Sequence, residues 1–152
     1  GIIMSTQLKR VWKFGCRWDE TGTPQASIAD SMFKKYGVAF AYSHAVLDMR
    51  QRDLIVLAEG NTIIAIGEAL TPPAEISKLY VPHSESDDVW EKFSDSVNIF
   101  GCKVKYYWLP DDKQFSYAKR GRFFHAKQIE QKVNDLFEEF ETSPQAVNKE
   151  DL

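Results

Sequence analysis

The stretch Asp53-Leu54-Ile55-Val56-Leu57-Ala58-Glu59-Gly60-Asn61-Thr62-Ile63-Ile64-Ala65-Ile66-Gly67-Glu68-Ala69-Leu70 decides the fold. Residues 53–59 are rich in Leu, Ile and Val, as a buried strand requires, and residues 62–70 repeat that character. Gly60 and Asn61 between them accept the positive φ angles of a two-residue turn, so the pair is expected to form a β-hairpin. Pro72 and Pro73 cannot donate to a ladder and stop the second strand.

Toward the N-terminus, Arg10 to Trp18 alternates in part. Trp12, Phe14, Cys16 and Trp18 share one parity and are all large or apolar, which predicts a strand with one buried face. Asp19 to Gln25, with Gly22 and Pro24, reads as a loop. Ser27 followed by Asp30 resembles a capping box, and Ile28, Met32 and Phe33 keep helical spacing until Gly37, so a short helix is expected near 27–36. Val38 to Tyr42 is a brief apolar strand.

Toward the C-terminus, Ser84 with Asp87 or Asp88 predicts a short helix to about Phe93. Ile99 to Leu109 is strongly β-prone, with a bulge expected at Gly101. Pro110, Asp111 and Asp112 turn the chain, and Phe115 to Tyr117 and Gly121 to His125 read as short strands. Ile129, Val133, Leu136, Phe137 and Phe140 make the apolar stripe of an amphipathic helix over 126–141. Residues 1–8 read as a flexible lead-in, 9–141 as a single domain, and 142–152 as a disordered acidic tail.

Of the 152 residues, 43% are hydrophobic and 27% charged, the usage of a globular domain that needs no metal or disulfide staple. Two cysteines make no spaced framework, and no apolar run approaches the roughly 20 residues that cross a bilayer, so a soluble cytoplasmic protein is expected. The net charge of −3 argues against a protein that coats nucleic acid. That sum conceals a segregation of charge. Lys103, Lys105, Lys113, Lys119, Arg120, Arg122, Lys127 and Lys132 face only three acids in their stretch, and Lys9, Arg10, Lys13 and Arg17 have none between them. Such segregation can give one positive face on an acidic chain.

The catalytic inventory is thin. His44, His83 and His125 lie at no metal-ligand spacing, and the eight glycines are scattered singly rather than gathered in a phosphate loop. Asp87 with Asp88, and Glu138 with Glu139, read as solvated helix faces rather than acid pairs. Cys16 shares the parity of Trp12 and Phe14 and reads as a packed thiol rather than a nucleophile. No enzyme chemistry and no cofactor or metal is implied.

The aromatic and basic residues say more. Trp12, Trp18, Tyr42, Tyr106, Tyr107, Trp108, Tyr117, Phe123 and Phe124 interleave with Lys13, Arg17, Lys103, Lys105, Lys119, Arg120 and Arg122. Base faces stack on rings and phosphates pair with cations, so this interleaving suits a nucleic-acid surface, although a half-buried sheet alternates in the same way. The run from Met49 to Ala69, with an Asp opening a hydrophobic strand and Ile66-Gly67-Glu68 ending the next, resembles the central hairpin of PUA-like domains, especially the EVE and YTH branch. The aromatic strand Trp12-Lys13-Phe14-Gly15-Cys16-Arg17-Trp18 and the helix after it fit the same pattern. Families of this kind usually carry Gly before the strand-opening Asp, where this chain has Arg52.

The resemblance implies an α+β fold, a twisted and partly closed β-barrel with two or three peripheral helices. It also implies a non-enzymatic reader of a modified or flipped base in DNA or RNA. Trp12, Trp18, Tyr42 and Ser43 would hold the base, and Arg17, Lys119, Arg120 and Arg122 would meet phosphates. The alternative is a protein-interaction or oligomerisation domain, pairing with a protein partner or as a homodimer through exposed aromatics.

Overall fold

The computed structural model describes residues 8–17, 27–79 and 97–143. The hairpin lies where the sequence places it. Strand β3 (Leu54–Glu59) pairs antiparallel with β4 (Thr62–Ala69), closing at Glu59↔Thr62 around Gly60 and Asn61. Positive φ is confined to Gly60, at 60°, while Asn61 does not share it, which is the arrangement of a turn with glycine in its first central position. The register shifts between Leu57 and Ala58, so β4 carries one extra residue there.

Around this pair the chain builds a curled, mixed sheet. With β1 (Val11–Gly15), β2 (Val38–Ala41), β6 (Phe100–Trp108) and β8 (Phe123–His125), the strand order is β2-β6-β4-β3-β1-β8. Two short strands, β5 (Ala74–Glu75) and β7 (Phe115–Ser116), pair with β6 and β4. β1 runs parallel to β3 and antiparallel to β8, and the curl brings β2 back alongside β1. The result is a half-barrel. Helix α1 (Glu130–Thr142), entered through a 3₁₀ turn at Lys127–Ile129, lies across its outer face.

Two apolar cores result, one on each side of the sheet. Inside the curl, Trp12, Phe14, Ile55, Leu57, Ala65, Phe40 and Cys102 meet Met32 and Phe33. Outside it, Val11, Leu54, Val56, Ile63 and Ile66 pack under Val133, Phe137 and Phe140 of α1. The expectation that β1 buries one face is therefore corrected. Val11 is fully buried in the core under α1, and Lys13 is 6% exposed beside Phe124 of β8 and Gly121 of the loop before it, so elements more than a hundred residues away in sequence cover the second face.

The short helix after Ser27 is present as a π-helical turn, Ala29–Lys34, with Phe33 N–H donating to Ile28 O at 3.2 Å. Ser27 Oγ accepts from Ala29 N–H at 3.1 Å, and Gly37, at φ 64°, ends the segment. No bulge occurs at Gly101, which is paired in register with Phe40 on one side and Ala74 on the other. A 3₁₀ segment, His44–Asp48, follows β2, with Ser43 as its cap. The helix expected at 84–93 lies outside the described residues, as do the 19–25 loop and the last nine residues of the tail.

Arg52, in the turn that opens β3, has φ 77°. This is the left-handed conformation in which glycine is the ordinary residue, since a Cβ there costs roughly 1–2 kcal/mol. Glycine's greater loss of freedom on folding returns part of that gain. Arg52→Gly is expected to raise stability by about 0.5–1 kcal/mol, read as a higher urea midpoint with an unchanged slope.

Candidate nucleic-acid interface

The basic segment of the sequence becomes a loop pinned to the end of β1. Pairing of Phe14 with Phe123 and Lys13 with Phe124 brings residues 119–122 against β1. Gly15 N–H donates to Arg122 O at 2.9 Å, and Lys13 Nζ donates to Gly121 O. Lys119 Nζ lies 4.6 Å from the centre of the Phe124 ring and Lys13 Nζ 5.3 Å from it. Both ammonium groups thus converge on one half-buried ring.

Lys119, Arg120 and Arg122 are exposed, and so is Arg17, two residues beyond Gly15 and bridged to Ser27. Among the described residues none of these four cations forms an ion pair. Four phosphate-contacting candidates are therefore gathered around the same end of β1.

The base-binding candidates divide. Trp12 is 6% exposed: its Nε1–H donates to Asp53 Oδ2 at 2.9 Å. Its ring stacks on Phe123 at 5.3 Å and His125 at 4.8 Å, with the Arg10 guanidinium 5.1 Å from its centre. This is a core aromatic with no open face for a base, so its assignment to a cage is corrected. Tyr42 is 50% exposed, and Ser43 Oγ accepts from Ala45 N–H at 3.2 Å, capping the 3₁₀ segment. Ala41 pairs with Phe100 and Val38 with Lys103, which sets Tyr42 at the end of the barrel where β1 begins. Arg17 follows the last residue of β1, at the opposite end. The structure does not bring Tyr42 and Ser43 to the basic loop. Trp18 lies outside the described residues.

One ring outside the expected base-binding set is partly open. Trp108, the last residue of β6, is half-buried, with Lys34 Nζ 5.3 Å from its ring centre and Tyr106 tilted against it at 5.3 Å. It pairs with Ala65, Ala65 with Leu57, and Leu57 with Phe14, so it sits level with Phe14 on the inner side of the curl. The available signal is positional: it is the tryptophan that closes the aromatic run Tyr106-Tyr107-Trp108.

The remaining chemistry is structural. Cys16 and Cys102 are fully buried free thiols. Burial raises both pKa values, that of Cys102 to about 12, so neither supplies a thiolate near neutrality. Tyr106, half-buried on the inner side of the curl, has its hydroxyl pKa pushed well up by desolvation, and that hydroxyl donates to Val38 O at 2.6 Å. Glu141 is held below the usual carboxylate range by hydrogen bonds from Tyr107 and Lys105. His125 meets Glu130 at 3.1 Å, and among the described residues no three His, Cys, Asp or Glu side chains gather as metal ligands. An open cleft of about 470 Å³ lies between Leu8, Lys9 and the Asn134, Phe137 and Glu138 face of α1.

Fold and site together define a mixed α+β domain, with one long helix among its described residues, a curled eight-stranded sheet and a basic loop at one end of β1. No helix among the described residues is long and apolar enough to cross a membrane. No protein-family model, curated protein or solved structure matches the chain.

Proposed function

We propose that this chain is a nucleic-acid-binding domain of PUA-like type, contacting the phosphates of DNA or RNA through Arg17, Lys119, Arg120 and Arg122. The observation that carries the reading is the approach of the 119–122 loop, a hundred residues away in sequence, to the end of β1 that Arg17 follows, with Arg17, Lys119, Arg120 and Arg122 unpaired among the described residues. Surface cations contribute little to folding stability, so their gathering there is better accounted for by an anionic partner. Trp108 and Trp18 are the rings proposed to stack on an extruded base at that end. The acidic remainder of the chain limits indiscriminate binding.

The test is a titration with mixed-sequence single- and double-stranded oligonucleotides, plain and base-modified, at two salt concentrations. Arg122→Ala is expected to lower the slope of log K against log salt by about 0.7 on a single-stranded probe, the share of one phosphate contact, with an unchanged melting temperature. An unchanged slope removes Arg122 from the interface.

A second reading, a protein-interaction domain, draws on Tyr42 and Leu47, 50% and 47% exposed on one short segment. Failure to bind any oligonucleotide at low salt, together with sedimentation that depends on concentration, would favour it.

A further inference from the structure

Lysine is almost never buried without a partner charge, yet Lys13 is 6% exposed in the middle of a central strand. It sits between Val56 of β3 and Phe124 of β8, and its neighbours on the outer face, Val11, Val56 and Ala58, are apolar. Burial lowers its pKa, the mark of an ammonium held at some cost. An aliphatic side chain would fill the position without that cost. What it could not do is donate to Gly121 O.

That carbonyl belongs to the one residue of the basic loop with a positive φ, 143° at Gly121, so the loop takes a path that only glycine adopts readily. Gly15, the next outer-facing position of β1, donates its N–H to Arg122 O at 2.9 Å. Positions 13 and 15 therefore grip adjacent carbonyls, and Lys119 and Lys13 each place Nζ within 5.3 Å of the Phe124 ring centre.

We propose that Lys13 is the positioning residue of the phosphate-contacting loop. From beneath, it fixes the path of residues 119–122, so that Lys119, Arg120 and Arg122 present their charges together to a polyanion. This rests on the nucleic-acid reading above, and it predicts more than the loss of one charge. Lys13→Met keeps the length and bulk of the stem but removes the donor. Lys119→Met removes one exposed cation and leaves the tether intact.

The probe is a fluorescein-labelled, mixed-sequence 20-nucleotide single-stranded RNA, with its DNA counterpart, titrated between about 50 and 200 mM salt. Lys119→Met is expected to lower the salt slope by about 0.7, and Lys13→Met by about twice that or more, with at least a tenfold loss of affinity and an amide of Gly15 that exchanges at least tenfold faster. Gly121→Ala disturbs the same carbonyl without touching Lys13, because alanine is strained at φ 143° and its Cβ would lie 2.8 Å from Phe124 Cδ1, and it should reproduce the loss if Lys13→Met does not fold.

A slope change for Lys13→Met no larger than that of Lys119→Met, or Gly121→Ala binding like wild type, overturns the positioning role while leaving the nucleic-acid reading in place. A wild-type protein that binds neither probe overturns that reading, and with it the role assigned to Lys13. Exchange at Gly15 needs no ligand, so it reports the tether separately in either case.

Discussion

Replacing Gly101 with alanine is expected to destabilise the domain by at least about 3 kcal/mol, beyond the ordinary cost of overpacking a core. A Cβ at this position would lie 2.1 Å from Ala39 O, 2.8 Å from Phe40 Cβ and 2.9 Å from Phe40 Cα. These atoms are backbone or rigidly attached to it, so no flexible side-chain end can swing aside. Relief requires β2 to move away from β6, and β6 is the strand to which β2 is hydrogen-bonded. Moving it would also draw out Val38, Ala39 and Phe40, all fully buried. Against a total stability of roughly 5–15 kcal/mol, such a loss leaves a marginal fold. Urea unfolding of Gly101→Ala measures it, with Gly60→Ala as the control. Gly60 has φ 60° but nothing within 4 Å of its missing Cβ, so its substitution should cost only the roughly 1–2 kcal/mol of a left-handed alanine. Equal losses at the two glycines would show that backbone conformation, not the close approach of β2, governs Gly101.

The same contrast explains what could be read from the sequence. Gly60 announces its turn locally, between two β-branched runs, and the hairpin appears within a residue of its expected bounds. The stripe from Ile129 to Phe140 likewise needs only its own spacing to specify α1. Gly101 looked like a bulge because its reason for being glycine lies in strands 27 to 61 residues away. The parallel pairing of β1 with β3 and the covering of its second face by α1 are long-range in the same sense. For the site, the basic run was legible as composition, but its approach to Gly15 depends on the β1·β8 ladder. The parity rule placed Trp12 on an inner face correctly. Assigning it to a cage ignored the consequence of that burial, since Phe123, His125 and Asp53 already occupy the ring and its N–H.

Asp53→Ala is expected to cost about 2–4 kcal/mol, chiefly from hydrogen-bond donors left without an acceptor. One oxygen of this 8%-exposed carboxylate, Oδ2, accepts from Arg10 Nη2, Trp12 Nε1 and Arg50 N, each at 2.9 Å. Truncation leaves the indole N–H of a buried tryptophan with nothing to meet, and each such orphaned donor carries a penalty of about 1–3 kcal/mol. Arg10 is less affected, because its side chain is 35% exposed and also donates to Asp48 O at 3.0 Å. An aspartate opening β3 therefore has a structural explanation: it ties the first turn of the hairpin to β1 and fixes the ring on which β8 stacks. Asp53→Asn keeps an acceptor at that point but not the charge, so a loss well below that of alanine would assign the effect to the indole and amide hydrogen bonds. Losses of equal size would assign it to the ion pair with Arg10. Because Asp53 lies at the opposite end of β1 from Arg17 and the basic loop, both variants should bind oligonucleotides in proportion to the folded fraction, with an unaltered salt slope. A changed slope in the folded protein would mean that this end of the barrel also meets the nucleic acid.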